Sequence, residues 1–450
     1  MSWLIAAIVV DDLTRSVLVE ETAGADAANA HLPTIELAPR ELDCEGLIEV
    51  VQGLVRRPMT PIWLRYQESD GASESGTGMV LTAADSALDA TDGREFARAD
   101  DVVDTLEPEM ARAPIRAWLD RLDGRGDPRA PSWMEPGWFD RVSTWIGERM
   151  TSAGMPPTEP TRMTYQSPIG TVLRTRSGPR TAYVKASAPH CRAEASITRA
   201  LARRTPDWIP EVIDIEPAEG WLLMADFAGR ILGSDPEAEW VAGLRRIAEL
   251  ERAWVGHIEE LVGAGAQHRP LADLTGALPG LLEHDGLADR IGAPLLDRWP
   301  ALLPRFTDAC HELEDIGLPD GLIHGDGHPW NIAVTGHGLV VFDWSDGAAG
   351  HSFVDVPAFI RRTKDLALRR IVCDAYVDAW SGAAPRDRLV RGCELAMTVG
   401  ALYQVVTYQA LLPSLPPEDR VAYGGSDSRW FRAAVDGLER GLDAVGLPEG

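Results

Sequence analysis

The hydrophobic pattern along the chain changes character twice. WLIAAIVV (3–10) and SVLVEE (16–21) are short apolar runs flanking the polar DDLTR, which predicts a strand hairpin. ELDCEGLIEVVQGLVRR (41–57) has apolar residues at helical spacing, and PIWLRYQ (61–67) reads as a strand. GASESGTG (71–78) predicts a flexible loop by composition. A helix is expected over 107–122, and DGRGDPRAPS (123–132) reads as a linker. WFDRVSTWIGERM (138–150) is an amphipathic helix by period, broken by TSAGMPPTEP. TVLRTRSGPRTAYVKAS (171–187) predicts two strands around a Ser-Gly-Pro turn, and APHCRAEASITRALARR (188–204) becomes helical after a loose start. IPEVIDIEPAEGWLLMADF (209–227) predicts a further strand pair. From about 237 to 319 nearly everything reads as helix. A short hairpin around GHG follows, then LVVFDWSD (339–346), then helix again from 362 onward. GCELAMTVGALYQVVTYQALL (392–412) is apolar on all sides, the mark of a buried helix.

The predicted class is α+β: a small α/β N-terminal domain (1–125) of unknown role, a linker (126–137), and a small antiparallel-sheet lobe with a leading helix (138–227). A mostly helical lobe (228–450) carries the polar loop discussed below. A chain of 450 residues is too long for one core. The net charge of −26 argues against nucleic acid as a partner, because phosphate backbones are bound by Lys and Arg. It is compatible with a cationic ligand and equally with a plain soluble surface. The run WLIAAIVV is too short to span a bilayer, so no membrane association is expected. The five cysteines are scattered without a CxxC pair, which points to a reducing cytoplasm and no structural zinc. Of the 43 basic residues only Lys185 and Lys364 are lysine. A lysine kept against such an arginine bias suggests a position that needs a compact point charge.

The chemistry concentrates in HGDGHPWN (324–331). Asp326 and Asn331 are five apart, the separation found in the protein-kinase catalytic loop, where the Asp receives the acceptor proton and the Asn holds Mg²⁺. Twelve residues after Asn331, an apolar strand ends in Asp343. Upstream, Lys185 closes the strand AYVK and Glu194 follows on the next helix. This pair matches a strand lysine on the ATP phosphates oriented by a helix glutamate. Phosphoryl transfer asks a protein chiefly to position groups and neutralise charge, and Mg²⁺ takes one or two carboxylates with phosphates and waters completing its shell. No GxxxxGK[ST] occurs, which disfavours a Walker-type nucleotidase.

HGDGHPWN followed by VVFDWSDGAAGHSFVDVP resembles the aminoglycoside phosphotransferase/choline kinase family over roughly 136–450. The resemblance implies a bilobal protein-kinase-like fold with ATP and Mg²⁺ as cofactors. It implies Asp326 as catalytic base, Asn331 and Asp343 as metal ligands, Lys185 on the phosphates and Glu194 orienting it. WLLMADF (221–227) falls where the hinge would receive adenine, which places Met224 and Asp226 near it. The implied partner is a small polar molecule with a hydroxyl, such as an amino sugar, aminoglycoside or amino alcohol. The alternative is a nucleotide-binding pseudokinase, disfavoured by retention of Lys185, Asp326, Asn331 and Asp343.

The sequence departs from the family at SPIG (167–170), which supplies only Gly170 to the nucleotide loop. It departs again at Gly327 and Trp330, and at HSFVDVP (351–357), which lacks a Pro after the His. Asp355 is expected to be a structural carboxylate holding the loop, and His324 a buried scaffold. Trp344, Tyr403, Gln404, Tyr408 and Gln409 are pocket candidates, although aromatic residues on a buried helix usually serve as core, and Asp346 either faces a substrate amine or closes a turn. Residues 1–125 faintly resemble a Nudix fold without its glutamate-rich helix, so no hydrolase activity is assigned.

Overall fold

The computed structural model describes residues 3–11, 15–20, 30–37, 46, 60–69, 72–84, 94–283, 286–417 and 419–444. The helix expected over 41–57 lies outside the described residues. The chain divides into two compact units, Met1–Pro189 and His190–Gly450.

In the first unit, β1 (Trp3–Asp11) lies between β5 (Ala72–Ala84), parallel to it, and β2 (Ser16–Glu20), antiparallel. β3 (Thr34–Leu37) also pairs with β1, through its N-terminal half. β4 (Thr60–Ser69) edges β5, and β6 (Arg94–Arg98) edges β2. Ala7, Ile8, Val9 and Val10 are all fully buried, so the unbroken apolar run of β1 reflects a strand covered on both faces. The expected hairpin is present, with Val10 opposite Val17. Residues 72–78 correct the loop expectation: they open β5, and Gly76, Thr77 and Gly78 are paired on both sides, with β4 and β1. Ladder hydrogen bonds to two neighbours override weak strand propensity.

α1 (Arg112–Leu122) buries Ile115, Trp118 and Leu119, and α2 (Trp138–Ser152) buries Trp138, Val142, Trp145, Ile146 and Met150, the spacing that the sequence showed. The antiparallel β7 (Arg162–Gln166), β8 (Gly170–Ser177) and β9 (Arg180–Ser187) follow, β8 and β9 turning at Gly178.

The second unit opens with α3 (Glu194–Arg204) and the antiparallel pair β10 (Val212–Glu216) and β11 (Trp221–Ala225). A turn then leads to β12 (Arg230–Ile231) and the amphipathic α4 (Val241–Ala253). The stretch 237–319 is mainly helical, closing with α5 (Trp299–Glu314), but it also contains β13 (Gln267–Arg269). β13 pairs with β17 (Ala348–Gly350), which pairs in turn with β14 (Gly321–Ile323). β15 (Ile332–Thr335) and β16 (Gly338–Val341) form the expected hairpin, joined at its edge by β12. α6 (Leu366–Ala379), α7 (Arg386–Ser414) and α8 (Ser426–Arg440) complete the unit. α7 is long and apolar enough to cross a membrane, but most of its apolar window is buried inside the unit, as in a core helix. The core of this unit includes Phe306, Phe353, Phe359, Tyr376 and Trp380.

Candidate active site

HGDGHPWN connects β14 to β15, and its backbone is fixed from three sides. From below, the buried Asp355 accepts the N–H groups of His324 (2.6 Å) and Gly325 (2.8 Å). This is the loop-holding carboxylate expected from the sequence. From α7, the Gln404 side-chain amide donates to the Gly325 carbonyl. Gly325 itself has φ of 86°, and a Cβ there would lie 2.5 Å from the Asp346 backbone oxygen, so this turn admits only glycine.

His324 is the third fixing point and acts as a scaffold. Its Nδ1 accepts the Asp326 N–H (3.3 Å), so its Nε2 carries the proton and donates to the Phe342 carbonyl (3.1 Å). Burial pushes its pKa down, consistent with a neutral ring, and the ring packs 4.4 Å from that of Trp344. Phe342 is the hub of the site. Its carbonyl serves His324, its N–H donates to the Asn331 carbonyl (3.0 Å), and its ring stacks on Phe227 at 5.3 Å. The next residue is Asp343. One peptide thus ties the catalytic loop, the metal-ligand candidates and the turn after β11 into a single assembly.

Within it, Asp326 keeps a side chain 46% exposed, with His328 Nε2 3.4 Å from its Oδ2. Burial of its surroundings raises the carboxyl pKa, but His328 and Arg362 outweigh this, leaving it below the ordinary value and ionised at neutral pH. Asn331 is buried and donates from Nδ2 to the Asp326 carbonyl (3.0 Å), which leaves its side-chain oxygen as the ligand-facing atom. Asp343 has φ of 65°, a left-handed conformation that a non-glycine residue holds only at a cost. The Ser345 hydroxyl donates to its Oδ1 (3.0 Å). A strained aspartate at a strand end, beside an ionised one, is a frequent sign of chemistry.

The structure therefore brings Asp326, Asn331 and Asp343 together. An amide oxygen and a carboxylate suit Mg²⁺, which retains waters and takes phosphate oxygens rather than an all-protein cage. Among the described residues there is no cluster of three or more His, Cys, Asp or Glu side chains suited to a metal ion. Met224 lies on β11, and the Asp226 carboxylate accepts the Ala228 N–H (2.8 Å), which engages it in the turn after that strand. Glu194 is buried at the first turn of α3. Lys185 belongs to the other unit, on β9 opposite Val172, its stem over Gly170.

Several aromatic candidates are structural. Trp344 is buried, and the Tyr403 ring lies 3.7 Å from the Arg269 guanidinium carbon. Gln409 donates to the Leu281 carbonyl (2.8 Å). Trp330 is different: it is 44% exposed, edge-on to Trp240 at 5.5 Å, and seated on Gly233, where a Cβ would lie 2.5 Å from its ring. A cleft of about 260 Å³ opens beside Ser345, Asp346 and Gly347, bounded by Arg269, Thr407 and His190. Sequence reasoning missed Phe342 and also Glu251, a buried carboxylate on α4 that approaches Asp355. Glu251 was detectable: with Leu244, Ile247 and Ala248 it completes the apolar stripe of α4, where a carboxylate does not belong.

Residues 171–390 match a model of the phosphotransferase enzyme family, a stretch that includes Lys185, Glu194, Met224, Asp226, Asp326, Asn331 and Asp343. The mixture of sheets and helices is the α+β class expected from the sequence. Solved structures similar to the chain include a macrolide 2′-phosphotransferase from Brachybacterium faecium, at 18% identity over 63% of this chain and 97% of that one, with a TM-score of 0.44. A choline/ethanolamine kinase family protein from Mesorhizobium loti is 18% identical over 68% and 98%, with a TM-score of 0.42. Choline kinase from Streptococcus pneumoniae is 12% identical over 66% and 99%, with a TM-score of 0.45. No curated protein matches the chain. Nothing in these comparisons supports the Nudix-like reading of residues 1–125.

Proposed function

We propose that this protein is an ATP- and Mg²⁺-dependent phosphotransferase that phosphorylates a hydroxyl of a small polar molecule, with amino sugars, aminoglycosides and amino alcohols as the favoured acceptors. The observation that carries this reading is an ionised, solvent-reaching Asp326 on the same backbone assembly as Asn331 and Asp343. Asp326 accepts the hydrogen bond of the acceptor hydroxyl, aims its oxygen in line with the γ-phosphorus, and takes the proton as the new P–O bond forms and the bond to ADP breaks. Asn331 and Asp343 would hold Mg²⁺, which neutralises phosphate charge when bound. Lys185 and Glu194 are the residues that the family resemblance assigns to the ATP phosphates. The backbone at Met224 receives adenine, with Asp226 at the edge of that turn.

The cleft beside Asp346 receives the acceptor. Its carboxylate, with the acidic balance of the chain, suits a cationic group. The cytoplasm, which supplies ATP and keeps the buried thiols of Cys191, Cys310, Cys373 and Cys393 reduced, is the compartment this reading assigns.

The test is ADP release from MgATP by the purified protein, offered separate pools of aminoglycosides, amino sugars, amino alcohols and neutral sugars. Release that depends on one cationic pool supports the reading. Release with neutral sugars alone removes the cationic acceptor, and no release from any pool counts against the kinase.

A further inference from the structure

Glu251 has no part in the chemistry above, yet its surroundings are unusual. It is 1% exposed on the inner face of α4, and its Oε2 accepts the Tyr376 hydroxyl at 2.5 Å. Its Oε1 is buried and receives no N–H or O–H. The group it approaches is the carboxyl of Asp355, also 1% exposed, whose oxygens already accept the N–H groups of His324 and Gly325. Two acceptors therefore meet in the buried core, and the Trp380 indole N–H, which also faces Glu251, makes no hydrogen bond there. Two negative charges there would be strongly unfavourable, since neither is solvated nor paired with a cation. The titratable groups facing the pair are Tyr376 from α6, Cys393 and Tyr403 from α7, and Asp326 from the HGDGHPWN loop. All are neutral or negative, so none supplies the missing positive charge.

We propose that Glu251 carries a proton in the folded protein and donates it to Asp355, keeping Asp355 ionised as the clamp on the His324 and Gly325 N–H groups. Glu251 is then a positioning residue for Asp326, two links removed from the reacting atoms. The proton turns the orphaned Oε1 into a donor and removes the repulsion between the carboxylates. The electrostatics agree: burial, and then Asp355, push Glu251 well above the ordinary range. Asp355 rises only to about 7, because the two backbone N–H groups and Glu251 oppose the effect of burial. The proton therefore stays with Glu251 when the pair holds one.

The activity part of this inference rests on the kinase reading; the proton itself does not. Infrared spectra of the full chain at mildly alkaline pH, where exposed carboxyls are ionised, should show a protonated-carboxyl stretch. That band should disappear in Glu251→Gln and on denaturation of the wild type. Once an acceptor is known, Glu251→Gln, whose amide N–H can replace the proton, should recover turnover that Glu251→Ala loses by about tenfold or more. Absence of the band in the folded wild type, or its persistence in Glu251→Gln, overturns the proposal whether or not phosphotransfer is ever observed. If Glu251→Gln folds poorly, the comparison of folded and denatured wild type decides.

Discussion

Asp355→Asn removes a charge from beneath the catalytic loop without changing the shape of the side chain. In the native protein each Asp355 oxygen accepts one backbone N–H, from His324 at 2.6 Å and from Gly325 at 2.8 Å. A hydrogen bond to a charged acceptor contributes about 1.5–3 kcal/mol, and a buried donor left unmatched costs about 1–3 kcal/mol. Asparagine retains one acceptor, now neutral, and turns an NH₂ toward the other N–H. The expected loss is about 3 kcal/mol of unfolding free energy, from one bond removed and one weakened. A domain stable by about 5–15 kcal/mol survives this, so the variant should fold. The catalytic effect is separate. Gly325 immediately precedes Asp326, and a displacement of about 1 Å at the base costs about a hundredfold in rate. Urea unfolding measures the first quantity and acceptor-dependent ADP release the second. An unfolding free energy within about 0.5 kcal/mol of wild type, with unchanged turnover, would refute the clamp.

Three further outcomes are expected. Asp343→Gly relieves a left-handed aspartate and should raise stability by about 1 kcal/mol, while ADP release falls because a metal ligand is gone; a thermal melt and the turnover assay on the same sample separate the two effects. Gly233→Ala places a methyl against the Trp330 ring and should raise the acceptor KM with little change in the melting temperature; an unchanged KM would mean that Trp330 does not face the acceptor. Burial holds the His351 pKa at about 4, below the unfolded value of 6.5, so on acidification the unfolded chain takes up a proton that the folded one refuses. Stability present above pH 6.5 should therefore be lost as pH falls toward 4, by about 3 kcal/mol from this group, and urea midpoints of His351→Leu should show a shallower fall over that window.

The HGDGHPWN loop stood out as a candidate site because its pattern is local: Asp326 and Asn331 are five residues apart, and Asp343 ends the next apolar run. The helices at 138–150 and 392–412 were legible because period and burial agree. GASESGTG misled because a strand paired on both sides needs little intrinsic propensity. What sequence could not supply is the set of long-range contacts that aim the site. Phe342 is an ordinary strand residue until its peptide is seen to serve both His324 and Asn331. Gln404 was read as a pocket or core candidate, and its amide proves to hold the Gly325 carbonyl from the middle of α7. Glu251 left a trace as a carboxylate in an apolar stripe, but its partner Asp355 lies 104 positions further along the chain and nothing in the spacing connects them.

The central claim is that Asp326 directs transfer of a phosphoryl group from ATP to a hydroxyl. Its most direct test is phosphorus NMR of a reaction with MgATP and the acceptor found by pooling, run with wild type and with Asp326→Ala. The account predicts a new phosphomonoester resonance and ADP in the wild type. In the variant it predicts a rate lower by about 10²–10⁴ with the fold retained. A phosphomonoester formed equally fast by Asp326→Ala, or ADP accompanied only by inorganic phosphate in the wild type, would contradict it.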